Sequence, residues 1–109
     1  MSQEETIHNK QTRWLILVIL YENQRAKNRE AGGWMKLPML QKLLSAQGYQ
    51  LTQEDIRTFC VYLADDEIGC LEQNRQNDHA PFVYRYRIKA KGVRVATNEE
   101  KAPGVGLYS

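Results

Sequence analysis

Two hydrophobic periods alternate along this chain, and the places where one gives way to the other mark its elements. From about Lys10 to Asn28 the apolar residues recur at helical spacing, with Trp14, Leu17, Val18 and Tyr21 on one stripe. Leu15, Ile16, Ile19 and Leu20 cover the flank beside it, so the predicted helix is apolar over more than the ~100° arc of a surface helix. Such a helix is either wrapped by the rest of its own domain or keeps a second face for a partner chain. Leu15, Ile16, Ile19 and Leu20 are then the candidate homodimer contacts. Gly32 and Gly33 break the pattern, and Trp34 to Lys36 can form a short strand. Pro38 suits the first turn of a second helix, with Met39, Leu40, Leu43 and Leu44 as its buried stripe and Gly48 at its end. Thr52 and Asp55 have the spacing of a capping box, with Leu51 and Ile56 placed for a hydrophobic staple. A third helix therefore starts there, buries Ile56, Phe59, Cys60 and Leu63, and ends before Gly69.

Beyond that point the period drops to two. Ile68 to Asn74 reads as a strand, residues 75–81 as a loop, and Phe82 to Lys89 as the returning strand. In the latter, Phe82, Tyr84, Tyr86 and Ile88 alternate with Val83, Arg85, Arg87 and Lys89, which predicts an aromatic core side and a basic water side. Val93 to Asn98 closes the domain as a short helix. Residues 1–9 and 99–109 are expected as flexible ends of a single domain spanning 10–98.

Composition narrows the reading. With 109 residues, of which 42% are hydrophobic, the chain can bury one core. Two cysteines are too few for a disulfide-stapled secreted fold, and the first residues lack the basic head and apolar run of a leader. A cytoplasmic protein is the expectation. Trp14 to Tyr21, the longest apolar run, falls well short of the ~20 residues of a membrane span, so no membrane association is expected. The net charge is only +2, but it is unevenly spread. Arg75, Arg85, Arg87, Lys89, Lys91 and Arg94 face a single acid, Asp78, between residues 75 and 94. Glu54, Asp55, Asp65, Asp66, Glu67 and Glu72 face only Arg57 between 51 and 72.

The order helix, strand, helix, helix, strand, strand, helix is that of an α+β winged helix-turn-helix, a three-helix core with a C-terminal β-hairpin wing and a short closing helix. The run Tyr86-Arg87-Ile88-Lys89-Ala90-Lys91-Gly92 is similar to the strand-then-Lys-Gly signature of MarR-like and PadR-like transcription regulators. Gly92-Val93-Arg94-Val95-Ala96, followed by Pro103-Gly104-Val105, resembles small winged-helix proteins of Mu-like phages and prophages. The resemblance implies a phage or prophage regulator that binds duplex DNA. The segment after Asn98 is too short for the long dimerisation helix of the regulators, so a dimer of that kind is not expected.

In such a fold the third helix enters the major groove and the wing reaches the backbone. Gln53, Arg57 and Thr58 are the candidate groove contacts, and Arg75, His79, Arg85 and Arg87 the candidate wing contacts. Lys10, Arg13, Arg25, Lys27 and Arg29 on the flanks of the first helix add basic surface. Against this stand Asp65, Asp66 and Glu67, which would repel phosphate. Either they pair with Arg85, Arg87 or Lys89, or they meet a basic partner protein. The latter makes the chain an adaptor in phage assembly or host interference. Neither His8 nor His79 has a nucleophile or carboxylate partner in a catalytic motif, no zinc-ligand spacing links the cysteines to the histidines, and no glycine-rich phosphate loop is present. No enzyme activity, cofactor or metal is expected. Cys60 reads as a small core residue, with a redox pair to Cys70 as the alternative.

Overall fold

The computed structural model describes residues 3–26, 31–76 and 83–106. Its helices are α1 (Gln3–Arg25), α2 (Leu37–Ala46), α3 (Gln53–Ala64) and α4 (Ala90–Ala96), and its strands β1 (Met35–Lys36), β2 (Leu71–Gln76) and β3 (Val83–Ile88). A single 3-10 turn at Ala31–Gly33 precedes β1. The strands form one antiparallel sheet in the order β1-β3-β2, with Met35 opposite Tyr86 and Glu72 opposite Arg87. The fold is thus α+β.

Helix α1 runs through the centre. Ile16, Leu17 and Leu20 have no exposed surface and meet Leu40 and Leu44 of α2, Ile56, Cys60 and Leu63 of α3, and Tyr86 of β3 in one core. Of the four residues expected at a dimer face, Leu15, Ile16, Ile19 and Leu20, two are therefore out of a partner's reach. Ile16 and Leu20 are wholly inside the chain, while Leu15 and Ile19 pack half-buried against the same core. The wide apolar arc exists because α1 is covered on several sides by its own domain.

Several boundaries differ from the sequence reading, α4 among them, which spans Ala90–Ala96 instead of Val93 to Asn98. Helix α1 begins at Gln3 instead of Lys10. His8 belongs to it, since its ring stacks on Tyr49 at 5.5 Å and its carbonyl accepts the buried Thr12 hydroxyl at 2.8 Å. In α2 the helix opens at Leu37, one residue before Pro38, so Leu37, Leu40 and Leu44 form the stripe. Met39 is turned outward and is 48% exposed. Finally, Ile68 and Gly69 are not strand: both amides donate to the Asp65 carbonyl, at 3.0 and 2.7 Å, and Gly69 has a φ of +65°, which a glycine adopts without strain. Strand β2 starts only at Leu71.

The start of α3 is as its sequence dictates. The Thr52 hydroxyl accepts from the Asp55 amide and the Asp55 carboxylate accepts from the Thr52 amide, both at 3.1 Å. Caps of this kind stabilise a helix by about 1 kcal/mol.

The segment expected as a flexible tail instead straps back over α1 as far as Gly106. Ala102 is 1% and Val105 3% exposed, bracketing a turn at Pro103 and Gly104, and the Gly106 amide donates to the Lys10 carbonyl at 2.9 Å. Two side chains fasten the strap to the helices. Arg13 Nη1 donates to the Gly104 carbonyl at 3.0 Å, and the Tyr62 hydroxyl donates to the Pro103 carbonyl at 2.7 Å.

Candidate nucleic-acid interface

Gln53, Glu54, Arg57, Thr58 and Val61 are exposed on the outward face of α3, as the helical spacing predicts. The first turns are braced from both sides. Gln53 Nε2 donates to Gln41 Oε1 of α2 at 3.3 Å, and Gln41 Nε2 donates to the Leu51 carbonyl at 3.0 Å. Arg57 Nη1 donates to the Tyr84 hydroxyl of β3 at 3.2 Å, with its guanidinium 5.2 Å from the centre of the Tyr84 ring. A cleft of about 360 Å³ lies between Leu37 and Pro38 of α2, Gln53 and Arg57 of α3, and Tyr84 of β3. Gln53 and Arg57 therefore line one concavity. The Thr58 hydroxyl donates to the Glu54 carbonyl of its own helix at 3.0 Å, which leaves its oxygen as an acceptor.

Arg85 and Arg87 stand elsewhere. Tyr84 and Tyr86 share the face of β3 turned to the helices, so residues 85 and 87 occupy the opposite face of the strand. There Arg87 is committed to the fold. Its Nη2 donates to Glu72 Oε2 at 2.7 Å across the β2–β3 register, and its guanidinium lies 4.5 Å from the Trp34 ring centre. The expected pairing of Arg87 with Asp65, Asp66 or Glu67 is not made, because Glu72 sits directly opposite it. Of the other wing candidates, Arg75 lies on β2 with its side chain outside the described residues and His79 lies wholly outside them, as does Phe82, expected on the core side of the strand.

The three acids follow α3 and form a turn. Asp65 Oδ1 accepts from the Glu67 amide at 2.9 Å while the Asp65 carbonyl closes the turn to Ile68 and Gly69. All three residues are exposed. Their position at the negative end of the helix dipole thus has a local reason: Asp65 supplies the acceptors that the turn needs.

Arg13 is not the free basic flank it is expected to be. It is stacked over Tyr62, 4.2 Å to the ring centre, and lies 5.6 Å from that of Phe59. The two rings and the Gly104 carbonyl offset the cost of half-burying its charge. Arg25 lies over Tyr21, and Lys27 and Arg29 are outside the described residues. No local sequence pattern announces either the Arg13 latch or the Arg57–Tyr84 contact, because each joins elements distant in sequence.

Both thiols are free and fully buried. Burial pushes the Cys60 thiol far above its ordinary range and also raises that of Cys70, where nearby Lys91 acts in the other direction. Such thiols are poor nucleophiles and poorly reached by oxidants, which fits Cys60 as a core residue. Among the described residues no group of His, Cys, Asp and Glu could hold a metal ion, and no helix is long and apolar enough to cross a membrane. No family model, no curated protein and no solved structure matches this chain.

Proposed function

We propose that the chain is a winged helix-turn-helix domain that binds duplex DNA, with the first two turns of α3 in the major groove and the β2–β3 hairpin as the wing. The observation that carries this reading is the outward face at the start of α3. Gln53, Arg57 and Thr58 present hydrogen-bonding groups on a helix held by a capping box, by α2 and by Tyr84. With its side chains a helix is ~10–12 Å across, which fits a groove about 12 Å wide. In that groove Arg57 has the geometry to grip guanine, Gln53 adenine, and Thr58 a thymine methyl or a phosphate. The sheet order β1-β3-β2 supports the wing assignment. Arg75, His79 and Arg85 are its proposed backbone contacts, whereas Arg87 is a structural residue of the wing's base. The sequence resemblance makes a phage or prophage regulator the proposed setting.

A second reading is favoured by one observation, the exposed turn Asp65-Asp66-Glu67 beside a strand whose Arg87 is already neutralised by Glu72. In that reading the fold is an adaptor that holds a basic protein.

Amide chemical shifts recorded during titration with a mixed-sequence duplex test the first reading. Shifts are expected to cluster at residues 53–58 and along β3. A spectrum that duplex leaves unchanged, or one that moves only around α1, contradicts it.

A further inference from the structure

Ile7, Met39 and Val61 are the exposed large hydrophobic residues among the described residues, and single apolar side chains on a surface are ordinary. Val61 differs by its neighbours. At ~100° per residue, Glu54, Arg57, Thr58 and Val61 fall within an arc of about 100° on the outward side of α3, and all four are exposed. Val61 is 49% exposed and lies nearly one turn beyond Thr58. The face proposed to enter the groove thus carries two methyl-bearing side chains next to each other.

Folding does not call for either of them. Both are β-branched and less favourable in a helix than alanine, and neither belongs to the core. What they have is a fixed direction. The Thr58 hydroxyl donates to the Glu54 carbonyl at 3.0 Å, which holds its γ-methyl in one position, and a valine in a helix keeps a single strongly preferred rotamer. Contact with an apolar group therefore costs little side-chain entropy. Glu54 on the same arc repels phosphate, so against a duplex this strip faces base edges and not the backbone. The apolar group that a base edge offers in the major groove is the C5-methyl of thymine.

From this arrangement we infer that Thr58 and Val61 read the C5-methyl groups of neighbouring thymines. On the DNA-binding reading above, which this assignment rests on, Val61 joins Gln53, Arg57 and Thr58 as a base-reading residue.

Deoxyuridine lacks only the methyl of thymidine, so exchanging one for the other removes these contacts and leaves every hydrogen-bonding group and phosphate in place. Duplexes enriched from a random-sequence pool on the full chain are copied in parallel with thymidine or deoxyuridine triphosphate, and the affinities of the two forms are compared by anisotropy at one low salt concentration. The thymine form is expected to bind about four- to fifteenfold more tightly, the range for burying one or two methyl groups. Val61→Ala, which favours the helix and so keeps the fold, is expected to cut that ratio by at least about half while changing affinity for the deoxyuridine form by less than about twofold. Equal affinity for the two forms, or a ratio that Val61→Ala leaves unchanged, would overturn the methyl-reading assignment while DNA binding itself stands. Binding of neither form would overturn both.

Discussion

Replacing Gly92 by alanine is expected to lower the unfolding free energy by about 3 kcal/mol, at the upper end of the usual cost of overpacking. A Cβ at this position would collide with the Cys70 carbonyl and lie 2.7 Å from Ile88 Cγ1. Neither neighbour can yield cheaply. The Cys70 carbonyl accepts the Lys89 amide at 2.9 Å, and the Cys70 amide donates to the Leu63 carbonyl at 2.9 Å. Cys70 thus ties the end of α3 to the step from β3 into α4. Moving its carbonyl opens that junction, and Ile88, 3% exposed, has no free volume to enter. A domain of this size has only about 5–15 kcal/mol of stability, so the loss is a large fraction of the whole. Gly48 provides the contrast: its φ is +91° but a Cβ there meets nothing within 4 Å, and alanine should cost only the ~1–2 kcal/mol of the left-handed backbone. Urea unfolding of both variants checks the pair. Equal midpoints for Gly92→Ala and the parent chain would contradict the packing described for α4.

Arg57→Ala is expected to reduce affinity for duplex DNA by about 10- to 100-fold, the range for loss of an arginine that reads a base edge. The change removes the guanidinium of an exposed residue from the cleft it shares with Gln53 and releases the hydroxyl of the half-buried Tyr84. Stability should therefore fall by no more than about 1 kcal/mol. Arg87→Ala should behave in the opposite way. It strands Glu72 and uncovers Trp34, so its main effect should be on the thermal midpoint, with DNA affinity changed less than by Arg57→Ala. Measuring both quantities for both variants separates a contact residue from a structural one. If Arg87→Ala is the variant that loses DNA and Arg57→Ala does not, the interface is on the other face of the sheet.

The element order was readable because each element announces itself locally. Thr52 and Asp55 mark the start of α3 by spacing alone, and the alternation of Tyr84, Tyr86 and Ile88 with Arg85 and Arg87 marks β3. What was not readable depends on partners far away in sequence. The alternation shows that Arg87 faces away from the core, but not that Glu72 is its opposite number, since register depends on where β2 begins. Local helix rules place Asp65, Asp66 and Glu67 unfavourably and miss the turn they build, because that turn is defined by the Ile68 and Gly69 amides. Likewise, the polar strap from Glu99 to Gly106 looks like a tail until Arg13 and Tyr62 supply donors for its carbonyls. The candidate site was half legible: helical spacing put Gln53, Arg57 and Thr58 on one face, but only the three-dimensional arrangement shows Arg87 paired with Glu72 and packed against Trp34.

The proposed function stands on phosphate and base contacts, and these leave a signature in salt. Affinity for a fluorescent mixed-sequence duplex, measured by anisotropy from about 20 to 200 mM salt, should fall linearly on logarithmic axes, with a slope of about −2 to −4 for two to four neutralised phosphates. Absence of binding at the lowest salt, or binding indifferent to salt, would contradict the account and point instead to a protein held at the acidic turn after α3.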